Sequence, residues 1–188
     1  MSNILIIGGI ALLLVLMIIS SYNKLIKLQN NRENAFADID VQLKQRHDLI
    51  PQLVDSVKGY MNHESKVLTE ITKARSSAVN ASTVGDKISA ENQLNSALSG
   101  LKIAVEAYPD LKANTNFLHL QGEISDIENK LAAVRRYFNS ATKEYNNAAE
   151  IFPSNIIAGM FGFKEEDMFE IKAEDRAKLD TPTKIDFS

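Results

Sequence analysis

Apolar side chains dominate the first twenty residues of the chain. Residues 4–19 (ILIIGGIALLLVLMII) contain no polar side chain, and the first charged side chain belongs to Lys24. At about 1.5 Å per residue this run is roughly 24 Å long, and the whole uncharged segment exceeds the ~30 Å hydrocarbon core of a bilayer. Tyr22 follows the run, where tyrosine commonly meets the membrane interface. The pattern predicts a transmembrane anchor over residues 1–23.

Two other interpretations of this segment fit less well. A cleaved signal peptide carries a basic amino-terminal region and small residues at its cleavage site. Residues 1–3 have no basic side chain, and residues 18–20 (IIS) form a poor cleavage site. A buried helix of a soluble domain is the other possibility, but an unbroken apolar run of this length at a terminus favours the anchor.

The charges on either side of the anchor predict its orientation. No Lys or Arg precedes the apolar run, whereas Lys24, Lys27 and Arg32 follow it closely. Because positively charged flanks remain in the cytoplasm, we expect a single-pass cell-membrane protein with its N-terminus outside and its C-terminal domain cytoplasmic.

After the anchor, apolar positions recur at alternating spacings of three and four residues, which is typical of amphipathic helices. The first soluble helix continues out of the membrane and ends near Gly59 and Asn62. We expect a kink near Pro51, because proline removes one helical hydrogen bond. The stripe of this helix consists of Phe36, Ile39, Leu43, Arg46, Ile50, Leu53, Val57 and Tyr60.

Two shorter helices are predicted next. One spans about residues 63–82, with Asn62 as its N-cap and a stripe rich in small residues. The following turn ends at Asp86, which is the predicted N-cap of a helix over about residues 87–107. Pro109 closes that helix.

The fourth helix has the strongest pattern and spans about residues 117–152, before Pro153. Its seam consists of Phe117, Leu120, Ile124, Ile127, Leu131, Val134, Phe138, Ala141, Tyr145, Ala148 and Phe152. Long helices with short connections favour an all-α, up-and-down antiparallel four-helix bundle over residues 24–163. The seam could instead mediate dimerisation, but three other helices are available to cover it within one chain.

The end of the chain divides into an apolar and a charged part. Residues 156–163 are too short to span a bilayer, so they can pack on the bundle, touch the membrane surface or hold a partner. Ordinary packing is the favoured interpretation of such a short run. Residues 164–188 are charged and lack helix caps, which predicts a flexible charged tail.

Charge and composition narrow the classes of function. The formal net charge of −3 comes from residues 164–188, which carry five basic and eight acidic residues, so the predicted bundle is neutral. A neutral bundle lacks the basic stripe of proteins that bind nucleic acid. The absence of cysteine excludes disulfides, thiolate zinc sites and a cysteine nucleophile.

The sequence offers few residues for catalysis or metal binding. His47, His63 and His119 lack the partners and spacing of metal-ligand motifs, so structural or solvated histidines are expected. Phosphate-binding glycine loops and nucleophile elbows are also missing. Arg46 lies within an apolar stripe, which favours a structural ion pair with a buried acid over a ligand site. We therefore predict no catalytic, cofactor-binding or metal site.

Several strings of the sequence together resemble one family. The longest is DVQLKQRHDLIP at residues 40–51, preceded by ENAFADI at 33–39. The others are Tyr22-Asn23-x-Leu25, Val57-Lys58-Gly59-Tyr60, EAYPDLKAN at 106–114, Phe117-x-x-Leu120-Gln121 and Phe152-Pro153-Ser154-Asn155. These strings resemble the LemA family of bacterial membrane proteins over nearly the whole chain, the tail excepted.

The resemblance implies an N-terminal membrane helix and an up-and-down four-helix bundle. The molecular function of LemA-like proteins is not established, so the resemblance assigns no catalytic or binding residue. Some relatives are linked with bacterial membrane organelles and membrane stress, which suggests a scaffold or adaptor.

The sequence and the family resemblance leave three hypotheses for the function. The leading hypothesis is a non-enzymatic, membrane-anchored scaffold or adaptor that binds the bilayer through its N-terminal helix and unidentified proteins through its bundle, self-association included. One alternative is a membrane-remodelling or stress-related protein acting through residues 156–163. The other is an enzyme with its site around Arg46, His47, Asp48 and Pro51. A deep pocket holding those groups favours the enzyme, and a shallow bundle surface favours the scaffold.

Overall fold

The computed structural model of the chain describes residues 1–61 and 64–169. Within these ranges the chain forms six helices and no strand, which confirms the all-α prediction. The helices are α1 (Ser2–Lys58), α2 (Ser65–Asn80), α3 (Val84–Val105), α4 (Pro109–Lys112), α5 (Thr115–Glu150) and α6 (Ser154–Phe161). The predicted N-cap Asn62, His63 and residues 170–188 of the predicted tail lie outside the described residues.

Helix α1 is continuous over 57 residues, which corresponds to roughly 85 Å. Its N-terminal part is long and apolar enough to cross a membrane, and none of that part is buried in the protein. Burial begins at Leu25 and recurs at helical spacing up to Val57. The helix passes through Pro51 without ending and stops at Lys58, beside Gly59, as the sequence predicted.

Helices α1, α2, α3 and α5 form the bundle. α1 packs antiparallel along α5, α2 packs against α3, and α1 also contacts α2. All four helices share a core around Ile50, Ile71, Leu94 and Phe117, at the end farther from the apolar part of α1. The end of the bundle that is nearer to the apolar part of α1 consists mainly of α1 and α5. Helices α2 and α3 are too short to follow them along their whole length.

Two helix starts are set by capping side chains. The predicted N-cap of the third helix is wrong, because α3 begins at Val84 and is capped by Thr83, whose hydroxyl accepts a hydrogen bond from the Asp86 amide at 3.1 Å. The extended backbone of Thr83 places its hydroxyl over the first unpaired amides of the helix. Asn114 caps α5 in the same way by accepting from the Phe117 amide at 3.0 Å.

Two aromatic residues at the ends of predicted stripes do not belong to the core. Phe152 follows the end of α5 at Glu150 and is 74% exposed. Tyr60 follows the end of α1 and is exposed, and its hydroxyl accepts a hydrogen bond from Asn114. Helical periodicity places a side chain only while the helix continues, so both assignments fail where the helix ends.

Beyond α5 the chain folds back onto the bundle. Helix α6 packs on α1 and α5 through Ile157 and Ala158. Residues 164–169, here called the strap, then run without regular secondary structure along α5 and contact both α5 and Arg32 of α1.

Candidate functional site

A cluster of three polar side chains is buried between α1 and α3. Arg46 and His47 are neighbours on α1, and Glu91 lies on α3. Arg46 Nη1 donates to Glu91 Oε2 at 2.9 Å, and His47 Nε2 contacts Glu91 Oε1 at 2.7 Å. Because an ionised carboxylate only accepts hydrogen bonds, His47 Nε2 is the donor in the second contact. Each oxygen of the buried carboxylate therefore has its own donor.

Arg46 extends this charge cluster to a third helix. Its Nη2 donates to the side-chain oxygen of Asn95 on α3 and to Glu128 Oε1 on α5 at 3.1 Å. The structural ion pair predicted for Arg46 is confirmed. Glu128 is half-exposed, and its carboxylate is one of the two that compensate the buried guanidinium.

An open groove runs between α3 and α5 beside this cluster, with a volume of about 720 Å³. Its walls combine small and polar side chains such as Ser99 and Ser125 with apolar ones such as Leu98 and Leu118. Arg46 lines it from α1 and Arg135 from α5. The groove is an open depression on the bundle surface rather than an enclosed cavity, so large partners can reach it along its length.

The residues proposed for an enzymatic site do not converge in this groove. His47 is turned towards Glu91, and Asp48 is on the surface, where a hydrogen bond from Lys44 Nζ at 2.8 Å holds the pKa of its carboxyl below the ordinary value. His119 is exposed on α5, 3.7 Å from Glu123. Among the residues that the structure describes, no group of three or more potential metal ligands comes together.

Arg135 connects the groove to the strap. Burial lowers the pKa of its guanidinium from the ordinary value, and its Nε and Nη2 have no hydrogen-bond partner among the described residues. The guanidinium carbon lies 4.7 Å from the centre of the Phe169 ring, a cation–π contact. Phe169 also packs against the core between α1 and α5.

Two asparagines of α5 hold the strap by its main chain, and we call them the asparagine clamp. Asn146 Nδ2 donates to the Glu166 carbonyl at 2.9 Å, and Asn146 Oδ1 accepts from the Glu166 amide at 3.0 Å. Asn139 makes the same pair of contacts with Phe169, at 3.1 Å and 2.7 Å. Each side-chain amide thus pairs with one residue of the strap through both a donor and an acceptor.

The spacing of the clamp matches that of an extended chain. Asn139 and Asn146 are seven residues apart on α5, which is about 10.5 Å along the axis. Glu166 and Phe169 are three residues apart, which is about 10 Å in an extended chain. The two distances are nearly equal, so the strap can run antiparallel to α5 with both asparagines paired at once.

Two arginines add side-chain contacts to the clamp. Arg32 Nη2 lies 3.1 Å from Glu166 Oε2 and 3.4 Å from the Asp167 carbonyl oxygen. Arg135 contacts the Phe169 ring, three residues after Glu166. The clamp therefore holds an extended segment of this chain that has an acid and an aromatic residue at this spacing.

Sequence reasoning missed the clamp. A usable signal was present, because two asparagines seven residues apart occupy the same face of the most regular helix. The strap carries no period of its own, so nothing in its sequence marked it as a segment that lies on a helix.

The fold and its sites define a small helical-bundle protein, and the part of the chain that the structure describes contains one candidate membrane-spanning helix. Residues 35–187 match the LemA family. Protein LemA of Metamycoplasma hominis is 31% identical over 162 residues, which cover 85% of this chain and 73% of that protein. The chain belongs to the LemA family.

More distant relatives carry a different name. Magnetosome protein MamQ of Magnetospirillum gryphiswaldense is 22% identical over 187 residues, covering 86% of this chain and 69% of that protein. Magnetosome protein MamQ 2 of Paramagnetospirillum magneticum matches with the same identity and coverage. The apolar part of α1 is, by its length and composition, a candidate membrane span.

Proposed function

We propose that this protein is a non-enzymatic, membrane-anchored adaptor whose bundle binds extended segments of other proteins. The observation that carries the proposal is the asparagine clamp, which holds a polypeptide along α5 by its main chain. In this structure the strap occupies the clamp, which supports an extended polypeptide segment as the ligand.

Two further observations support an adaptor over an enzyme. Only Arg46 of the residues considered for catalysis reaches the α3–α5 groove, and its charge is already compensated by Glu91 and Glu128. LemA family proteins are not known as enzymes. An adaptor needs a surface that partners can reach, and the groove lies open along the bundle. The clamp becomes available when the strap leaves it.

We further propose that the bundle faces the cytoplasm. Lys24 and Lys27 directly follow the apolar part of α1, and positively charged residues at this position remain inside. Protease added to intact cells is expected to leave the bundle undigested, and digestion without permeabilisation would reverse the proposed orientation. Carbonate is expected to leave the full-length chain in the membrane fraction.

Photo-crosslinking in native membranes tests the adaptor proposal. A photoreactive residue in place of Lys143, an exposed position between the two clamp asparagines, is expected to crosslink to a partner segment with the acid-and-aromatic spacing. The crosslink should increase in a chain that ends at Phe163, because the strap no longer competes for the clamp.

Matched variants make this experiment specific to the clamp. Asn139→Ala with Asn146→Ala is expected to abolish the crosslink, since the main-chain contacts of the partner depend on both amides. The control Asn129→Ala with Asn147→Ala changes two exposed asparagines of the same helix and should leave it intact. A crosslink that persists equally in both double variants refutes the proposed binding site.

A further inference from the structure

Large apolar side chains are exposed together around α6, at the end of the bundle nearest the apolar part of α1. Phe152 is 74% exposed and Met160 is 68% exposed. The complete set is Ile151, Phe152, Ile156, Met160 and Phe161. A contiguous apolar surface of this kind marks an interaction site, because isolated exposed apolar residues are ordinary but clusters are not.

The apolar surface follows from the way in which α6 packs. The helix turns Ile157 and Ala158 onto α1 and α5, which leaves Ile156 and Met160, one turn apart, on the opposite side. No residue between Ile151 and Phe163 is charged. Apart from Asn155 near its start, α6 is therefore apolar on its exposed side as well as on its packed side.

Helix α6 lies beside the point where the apolar run of α1 ends. Tyr22 of α1 contacts the rings of Phe161 and Phe163, with centroid distances of 4.8 Å and 5.8 Å. Tyr22 is three residues beyond Ile19, where the apolar run ends, which is about 4.5 Å along the helix axis. A bilayer that surrounds α1 up to Ile19 thus begins beside α6.

We propose that α6, with Ile151 and Phe152, lies in the interface of the same bilayer that α1 crosses and inserts its exposed apolar side chains between the lipids. Amphipathic segments at this boundary bury their apolar face by about 5–10 Å. Lys164 follows this surface in the sequence, and Lys24 and Lys27 follow the apolar part of α1 shortly after Tyr22, so all three can reach the headgroups. The bundle is then held to the membrane at two points, which fixes its rotation about α1.

Single-cysteine fluorescence on the full-length chain tests this contact. The chain has no cysteine, so Met160→Cys can carry an environment-sensitive dye without background labelling. The labelled protein is reconstituted into nanodiscs of phosphatidylcholine and phosphatidylglycerol. We expect a blue-shifted emission that is quenched by lipids carrying a spin label near the headgroup and is protected from aqueous iodide.

Leu118→Cys is the matched control. Leu118 is an exposed apolar residue at the opposite end of the bundle, roughly 48 Å along α5 from Glu150. Its dye should be quenched by iodide and not by the labelled lipids. A Met160 dye that behaves like the Leu118 dye overturns the proposal, and so does protection from both quenchers, which would show that protein covers α6.

A second variant separates membrane contact from folding. Ile156→Asp places a charge on the exposed face without touching the packed face. In the labelled Met160→Cys background it should restore quenching by iodide while the helical circular dichroism signal stays constant. Unchanged protection in this variant also overturns the proposal, because a charged face does not remain among the lipid chains.

Discussion

Arg75 Nε donates a hydrogen bond to the main-chain carbonyl of His47 at 2.6 Å. This carbonyl lies four residues before Pro51, so it is the one that the proline leaves without a helical amide partner. A side chain of α2 thus replaces the missing hydrogen bond of α1. The replacement explains how α1 continues through a proline in the middle of the bundle.

This relationship predicts coupling between Arg75 and Pro51. Arg75→Ala should lower the free energy of unfolding by about 1–3 kcal/mol, because it leaves a partly buried carbonyl unpaired. In a Pro51→Ala background the restored amide can pair with that carbonyl, so the same Arg75→Ala change should cost less. A double-mutant cycle by urea unfolding of residues 24–188 measures the difference. Equal costs in the two backgrounds would contradict the assignment.

The charge cluster predicts a large penalty for removing one partner. Glu91→Ala should destabilise the domain by about 3–5 kcal/mol, since Arg46 then remains buried without its main compensating charge. Glu128→Ala is the control, and its cost should stay near or below about 1 kcal/mol because Glu128 is half-exposed. Arg46→Met combined with Glu91→Leu should recover most of the loss. Urea midpoints that rank Glu128 above Glu91 would contradict this account.

Leu131 tests the seam of α5. It is 2% exposed and lies in the core between α1 and α5. Leu131→Ala should cost about 2–5 kcal/mol, because the lost transfer free energy adds to that of a cavity. Lys130→Ala, at the neighbouring exposed position, should change stability by at most about half a kcal/mol. Similar small effects at both positions would mean that the seam is not core.

Tyr145 makes stability depend on alkaline pH. Burial raises the pKa of its phenol above the ordinary value, and the Glu166 carboxylate of the strap adds to the increase. In the unfolded chain the phenol ionises near pH 10. Above that pH the unfolded chain has released a proton that the folded chain keeps, so the free energy of unfolding falls as the pH rises.

Urea unfolding at increasing pH measures this effect. The midpoint should fall from about pH 10 upwards in the wild-type domain and fall less in Tyr145→Phe, whose side chain cannot ionise. Tyr137→Phe, which changes an exposed tyrosine of the same helix, should follow the wild type. An identical pH dependence in Tyr145→Phe would exclude the buried phenol as its source.

Periodicity predicted the parts of the fold in which apolar burial dominates. The seam from Phe117 to Ala148 and the stripe around Arg46 are visible in the sequence because a helix repeats its buried face every three to four residues. The same reasoning failed at Asp86 and Phe152, where the outcome depends on which residue ends a helix. Helix ends are decided by single hydrogen bonds, such as that of Thr83, which leave little trace in a hydrophobic pattern.

Contacts between distant segments were harder to predict. Arg46 was expected to pair with a buried acid. The sequence of the chain could not indicate Glu91 as that acid, because the partner is determined by how α3 packs on α1. The clamp depends on the same kind of tertiary information. Asn139 and Asn146 share a helical face, but only the fold brings residues 164–169 back onto it.

Helix α1 has no break between its apolar part and the bundle. At about 1.5 Å per residue, Arg46 is roughly 40 Å beyond Ile19 along the helix axis, and Leu53, which also lines the α3–α5 groove, is roughly 50 Å beyond it. An upright bundle therefore carries the groove well past the lipid headgroups. A diffusing protein can approach the groove directly, whereas a partner embedded in the same membrane needs a stalk of comparable length to reach it.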